Sequence, residues 1–86
     1  MSNKTWNEFK RLHADNFYGC VAPDGNWFDS AESFATAVHW CAYYAGEFHL
    51  SPEQEMEWME TRGRGLGYSI IHSSMLERMY EKGLLK

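Results

Sequence analysis

Basic residues are missing from the middle of this 86-residue chain. Residues 12–61 contain no lysine or arginine, whereas nine of the twelve acidic residues lie there. All eight basic residues stand in the flanks, so residues 1–11, 12–61 and 62–86 carry formal charges of +2, −9 and +3, for a total of −4. Such an asymmetry bears on partners and on rates of association rather than on the fold. It predicts an acidic surface that meets a basic one.

Long apolar runs and cysteines are also scarce. No segment approaches the roughly 18–20 apolar residues of a membrane-spanning helix, and the first thirteen residues lack the apolar centre of a signal peptide. We therefore expect no membrane association and a cytoplasmic location. In that compartment the two cysteines, Cys20 and Cys41, are expected to be reduced and to serve as small apolar core residues.

Motifs for catalysis or metal binding are absent as well. The chain has neither Cys-x-x-Cys nor His-x-x-x-His. His39 and Cys41 are two residues apart on a predicted helix, so they point about 200° apart and cannot reach one ion. Ser73 and Ser74 lie beside His72, but no local group would orient that imidazole as a base. We expect no enzyme, no cofactor and no metal site, with partly buried structural roles for the four histidines His13, His39, His49 and His72.

Aromatic residues, by contrast, are abundant. Four tryptophans, five tyrosines and five phenylalanines make up 16% of the chain. A domain of this size buries only about 60% of its unfolded surface, so large rings are an economical way to build its core. Fourteen rings are nevertheless too many for one small core, and surface tyrosine and tryptophan are the usual anchors of interfaces.

The first half of the chain predicts a helix and then a β-hairpin. Thr5 and Glu8 have the spacing of a helix-capping box. Residues 17–22 and 27–28 are β-prone, and they flank the turn sequence Pro-Asp-Gly-Asn at 23–26. The next helix is expected to be capped by Asp29 or Ser30 and to end at Gly46. Its predicted inner stripe consists of Ala31, Phe34, Ala35, Val38, Cys41 or Ala42, and Ala45.

The second half predicts two more helices with a flexible basic loop between them. Ser51, Pro52 and Gln54 form a second capping box, and the helix they begin is expected to reach about Thr61, with Trp58 near the surface boundary. Residues 62–67 read as the loop. A last helix is expected from a Ser69 cap to Lys82, ending in a Schellman motif at Gly83. The fold class is therefore α+β and mainly helical: three to four short helices packed with one small β-hairpin, in a single domain spanning residues 1–86.

The helix after Ser51 carries an acidic face. Glu53, Glu57 and Glu60 share one side at positions i, i+4 and i+7, whereas Glu55 is turned away from them. Two interpretations stand. The face is ordinary solvated surface, partly neutralised by nearby arginines, or it is a docking face for a basic groove.

Residues 62–67, Arg-Gly-Arg-Gly-Leu-Gly, invite comparison with a phosphate-binding loop. Glycine allows close approach to an anion, and Arg62 and Arg64 could form forked hydrogen bonds to phosphate. The spacing matches neither the dinucleotide fingerprint nor the P-loop. The alternative is a simple glycine-rich turn.

Residues 51–86 loosely resemble the late helices of winged helix-turn-helix domains, which often end in a run of the kind formed here by Leu76, Met79, Gly83 and Leu84. The resemblance implies a nucleic-acid-binding regulator. Its contacts would come from the basic residues Arg62, Arg64, Arg78 and Lys82. A net charge of −4 opposes that function, because a nucleic-acid-binding surface is basic.

The favoured function is a small, acidic, aromatic-rich binding module. It would inhibit or modulate a partner enzyme by occupying a basic surface, such as a nucleic-acid-binding groove. In general type it resembles accessory proteins of bacteriophages that inhibit host or defence enzymes. The expected site residues are the charges Asp24, Glu53, Glu57 and Glu60 and the ring anchors Trp27, Tyr43, Tyr44 and Trp58. The alternatives are the nucleic-acid-binding regulator and an assembly subunit that forms homo-oligomers through exposed rings.

Overall fold

The computed structural model describes residues 16–84, which form an α+β domain. Three antiparallel strands, β1 (Tyr18–Val21), β2 (Trp27–Ala31) and β3 (Ser69–His72), make one sheet in the order β2-β1-β3. The helices are α1 (Phe34–Tyr44), α2 (Pro52–Trp58), a π-helical turn (Met59–Gly63), α3 (Arg64–Leu66) and α4 (Ser73–Glu81). The helix predicted around Thr5 lies outside the described residues.

The predicted hairpin is confirmed, with a longer second strand. The Asp24 carboxylate accepts a hydrogen bond from the Asn26 N–H at 2.9 Å, and Gly25 has a φ of 88°. Strand β2 then continues to Ala31, so the prediction that Asp29 or Ser30 caps the following helix is wrong. Both residues instead support the strand, because the Trp27 indole donates to the Asp29 carbonyl and the Ser30 hydroxyl at 2.9 Å each.

Ser33 caps helix α1, because its hydroxyl accepts from the Thr36 N–H at 3.1 Å. The helix is terminated as predicted by Gly46, which follows the C-cap with a left-handed φ of 88°. Its inner stripe lies further along the chain than predicted, since Phe34 and Ala35 are exposed. The buried residues, all small, are Ala37, Val38, Cys41 and Ala42.

Strand β3 was not predicted. It pairs with β1 in the register Tyr18↔His72 and Val21↔Ser69. The last helix therefore begins after His72, whose Nδ1 accepts from the Ser74 N–H, rather than at Ser69. The predicted Schellman ending is confirmed, because the Leu84 N–H donates to the Met79 carbonyl and the Gly83 N–H to the Tyr80 carbonyl at 3.0 Å each.

The segment expected to be a flexible loop is helical. After the confirmed Ser51 capping box, α2 passes directly into the π-helical turn and then into α3, which ends at Gly67 with a φ of 110°. Gly63 makes this continuation feasible, since a Cβ there would lie 2.8 Å from the Met59 sulfur and 3.0 Å from the Trp58 ring. Core packing thus constrains this segment at Gly63, whereas its other residues are exposed.

In the part of the chain that the structure describes, two apolar clusters form the core. One joins α1, α2 and the sheet through Cys20, Val38 and Cys41, together with Trp58 and Tyr68. The other contains Phe17, Val21, Trp27 and Leu76, which extends it to α4. Because residues 20 and 21 point to opposite faces of a strand, the sheet is covered on both sides.

The resemblance to winged helix-turn-helix domains does not extend to the described structure. Strand β3 stands between α3 and α4, where that motif has only a turn. Within residues 16–84, no helix combines the length and apolarity that a membrane crossing requires.

Candidate functional site

Two of the four predicted ring anchors are buried. Trp27 is 1% exposed and stacks on Phe17 at 6.3 Å between ring centroids, whereas Trp58 is 5% exposed and contacts Tyr68 at 5.7 Å. The expectation that these indoles are available at the surface is therefore wrong. Each serves one of the two core clusters.

The other two predicted anchors, Tyr43 and Tyr44, are exposed. Tyr44 lies flat on Phe28 at 4.0 Å, which ties it to the sheet. Tyr43, 55% exposed, belongs to a different set of rings: it contacts Trp40 at 6.3 Å and Phe48 at 5.0 Å. We call Trp40, Tyr43 and Phe48 the aromatic face.

Sequence reasoning missed Trp40 and Phe48. They are 36% and 53% exposed. The signal for Trp40 was present, since it lies three residues before Tyr43 and therefore on the same side of α1, opposite the small buried residues. No helical spacing predicts Phe48, because it lies in the connection after Gly46.

Beside the aromatic face, a buried carboxylate holds a histidine. The Nδ1 of His39 on α1 and the Oε2 of Glu55 on α2 are 2.6 Å apart. The Glu55 side chain is only 11% exposed, whereas that of His39 is 47% exposed. Glu55 does point away from Glu53, Glu57 and Glu60, as predicted, but towards α1. The contact fixes the imidazole at the surface.

Between these groups lies a groove of about 520 Å³. The connection from α1 to α2 forms one wall, and two left-handed residues, Gly46 and His49 with a φ of 65°, turn its backbone. Glu47 and Glu55 bring two carboxylates to the groove, and no lysine or arginine of the described part of the chain lines it. We call this the α1–α2 groove; it is lined by His39, Tyr43, Glu47, Phe48, His49, Leu50 and Glu55.

The predicted acidic charges are exposed but lie on two different elements. Glu53, Glu57 and Glu60 project from α2 and the π-helical turn, and within residues 16–84 their carboxylates form no ion pair. The expected neutralisation by Arg62 and Arg64 is therefore not observed there. Asp24 lies apart, in the hairpin turn, where its carboxylate is already engaged with Asn26.

The two arginines with predicted phosphate contacts do not share a pocket. Arg64 lines a cavity of about 360 Å³ together with Phe34, Tyr68 and Ser69, whereas Arg62 is not among its lining residues. Over residues 16–84, no group of three or more histidine, cysteine or acidic side chains is arranged to hold a metal ion.

The cysteines are free thiols in the core, as predicted. A hydrogen bond with Cys41 and the loss of hydration both raise the pKa of the Cys20 thiol well above its ordinary value of 9.0. The reactive thiolate is therefore disfavoured. Neither cysteine lines the α1–α2 groove.

Comparison with known protein families, curated proteins and solved structures finds no match. The chemistry of the groove itself is thus the guide to its ligand.

Proposed function

We propose that this protein is a small binding module that inhibits or modulates a partner by occupying a basic surface on it. The observation that supports this function is the exposed aromatic face beside a groove that has two carboxylates and, among residues 16–84, no lysine or arginine. The sequence reinforces it, because residues 12–61 contain no lysine or arginine.

The aromatic face supplies affinity. Tyrosine and tryptophan are enriched among the few residues that dominate binding energy at interfaces. Tyr43 is held by contacts with two other rings, those of Trp40 and Phe48. A ring that is already ordered loses less side-chain entropy when a partner covers it.

The unpaired acidic residues raise the rate of association and favour basic partners. Glu53, Glu57 and Glu60 keep a local negative potential, because no cation within residues 16–84 pairs with them. Complementary charge raises association rates by roughly 10-fold to 1,000-fold and disfavours acidic partners.

Charge reversal tests this function. The immobilised protein captures partners from a lysate of its source, and each captured protein is purified for binding measurements. Changing Glu53, Glu57 and Glu60 to lysine together should slow association and weaken binding of a basic partner, with a fold that is unchanged by circular dichroism. Matching Glu→Gln variants separate loss of negative charge from gain of positive charge.

Two results would contradict the proposal. One is unchanged affinity in the lysine variant, which would make the acidic face plain solvated surface. The other is direct binding to a nucleic-acid duplex with a steep loss of affinity as salt rises, which would favour the regulator. Sedimentation tests the assembly alternative, which needs association that depends on concentration.

A further inference from the structure

We propose that the α1–α2 groove receives one arginine side chain of the partner protein. This inference rests on the proposed function and names the group that the site recognises. Its basis is one juxtaposition: two carboxylates, Glu47 and Glu55, stand in a groove that also presents the rings of Tyr43 and Phe48.

The electrostatics of the groove favour a cation. Glu47 makes no ion pair within residues 16–84, and Glu55 has only His39 as its partner there. The groove also adjoins the C-terminal end of the eleven-residue helix α1, whose last turn carries no basic residue. A helix C-terminus bears a partial negative charge, so it adds to the attraction of the two carboxylates.

The position of Glu55 suits its carboxylate to bind the guanidinium of the arginine. His39 holds one carboxylate oxygen, Oε2, at 2.6 Å. Oε1 makes no hydrogen bond within the described residues. A carboxylate that is fixed and largely shielded from water interacts more strongly with a charge than a freely solvated one does.

The ring geometry favours arginine over lysine. Tyr43 and Phe48 meet at 72°, so they offer a face and an edge at the groove. A guanidinium is planar, stacks on aromatic faces, is weakly hydrated and can donate two parallel hydrogen bonds to a carboxylate. A lysine ammonium is more strongly hydrated and lacks the fork.

The groove is large enough for such a side chain. Its volume of about 520 Å³ lies within the roughly 300–1,000 Å³ of small-molecule sites. A metal ion is the less suitable occupant, because the acidic and histidine side chains of residues 16–84 form no cluster that could ligate one.

The test uses small probes with isotope-labelled protein and nuclear magnetic resonance. The probes are N-acetyl-arginine methylamide, the corresponding lysine compound, and the citrulline compound, which has nearly the shape of arginine without its charge. We expect saturable shifts from the arginine probe at His39, Tyr43 and Phe48, weaker binding of the lysine probe, and no saturable binding of the citrulline probe. Equal binding of arginine and citrulline, or shifts centred elsewhere, would overturn the inference.

Matched variants locate the carboxylate. Glu55→Gln should reduce the affinity for the arginine probe by about tenfold, whereas Glu81→Gln, which removes an exposed carboxylate at the end of α4 away from the groove, should leave it unchanged. Equal losses in both variants would mean that only the overall charge matters and would overturn the inference. Should Glu55→Gln lose the dispersed spectrum of the folded protein, Glu47→Gln in the connection provides the same comparison.

The outcomes also distinguish this inference from the proposed function. In one case the arginine probe does not bind, but the variant with Glu53, Glu57 and Glu60 changed to lysine no longer binds the captured partner. The proposed docking function then stands, and the arginine site is wrong. In the other case the arginine probe binds at the groove, but substitutions of the acids or of the aromatic face leave the binding of every captured protein unchanged. The arginine site then stands without the proposed function.

Discussion

At the scale of single residues, Gly19 shows how closely the sheet is packed. A Cβ at this position would lie 2.7 Å from a methyl carbon of the buried Leu76 and 3.0 Å from the Trp27 indole nitrogen. Since Leu76 is fully buried, it has little room to move. Gly19→Ala should therefore lower the free energy of unfolding by about 1–3 kcal/mol.

Urea unfolding measures this effect, with Gly65→Ala as the control. Nothing lies within 4 Å of a Cβ at Gly65, which is in helix α3. Alanine there should be neutral or should stabilise the fold by about 0.5–1 kcal/mol, because it restricts the unfolded chain. Equal effects of the two substitutions would show that β1 has space above Gly19.

The buried thiol of Cys20 should make the free energy of unfolding depend on pH. Its pKa is raised in the folded protein, so the thiol stays protonated there while the unfolded chain ionises near the ordinary value of 9.0. The unfolded state then binds fewer protons, and the free energy of unfolding must fall as pH rises above about 9. Below that pH the stabilising contribution is fully present.

Urea unfolding of the natural chain and of the Cys20→Ala variant, measured across this pH range, checks the prediction. Cys20→Ala removes the titrating group, so its stability should decline less steeply with pH than that of the natural chain. Parallel declines would mean that other groups, such as the Tyr68 phenol with its pKa raised by burial, account for the whole effect.

At the scale of elements, the start of α2 holds the groove together. The Ser51 hydroxyl accepts from the Gln54 N–H at 3.2 Å, and the Gln54 side chain accepts from the Ser51 N–H at 2.8 Å. Glu55 follows directly, so a frayed first turn would loosen its contact with His39. Ser51→Ala should lower the free energy of unfolding by about 0.5–2 kcal/mol, whereas Ser51→Gly should cost only a few tenths.

Thermal unfolding compares these two variants, and the His39 resonances report the groove. We expect the alanine variant to show the lower midpoint and the larger change at His39. An alanine variant that is as stable as the natural chain would indicate that this cap contributes little.

Local signals explain which elements the sequence predicts. The hairpin turn at residues 23–26 and the caps at Ser51, Gly46 and Gly83 depend on neighbours within a few residues, and all four are found. Strand β3 is different: its four residues pair with β1, about fifty positions earlier in the chain. Its isoleucines, Ile70 and Ile71, fit a helix start equally well when only their neighbours are considered.

The site is predicted less well than the fold for a related reason. Trp27, Trp40 and Trp58 are chemically alike in the sequence, and only the packing of distant elements buries the first and third. Tyr43 was expected at the surface and is there. His39 and Glu55 are sixteen positions apart in the chain and lie on two different helices, and no local pattern links that pair.

At the scale of the whole molecule, the acidic residues and the aromatic face affect different steps of binding. The acids act over several ångströms and mainly affect association, whereas covered rings mainly affect dissociation. Raising the salt concentration should therefore slow association with a basic partner while leaving dissociation nearly constant. Substitutions in the aromatic face should have the opposite pattern.

The dissociation constant of the Tyr43→Ala variant for a captured basic partner tests the central claim most directly. If the aromatic face is the anchor, loss of this ring should weaken binding by about thirtyfold, chiefly through faster dissociation. Leu66→Ala, which removes an exposed side chain on α3 that does not line the groove, should leave the constant unchanged. A Tyr43→Ala variant that binds as tightly as the natural protein would contradict the account.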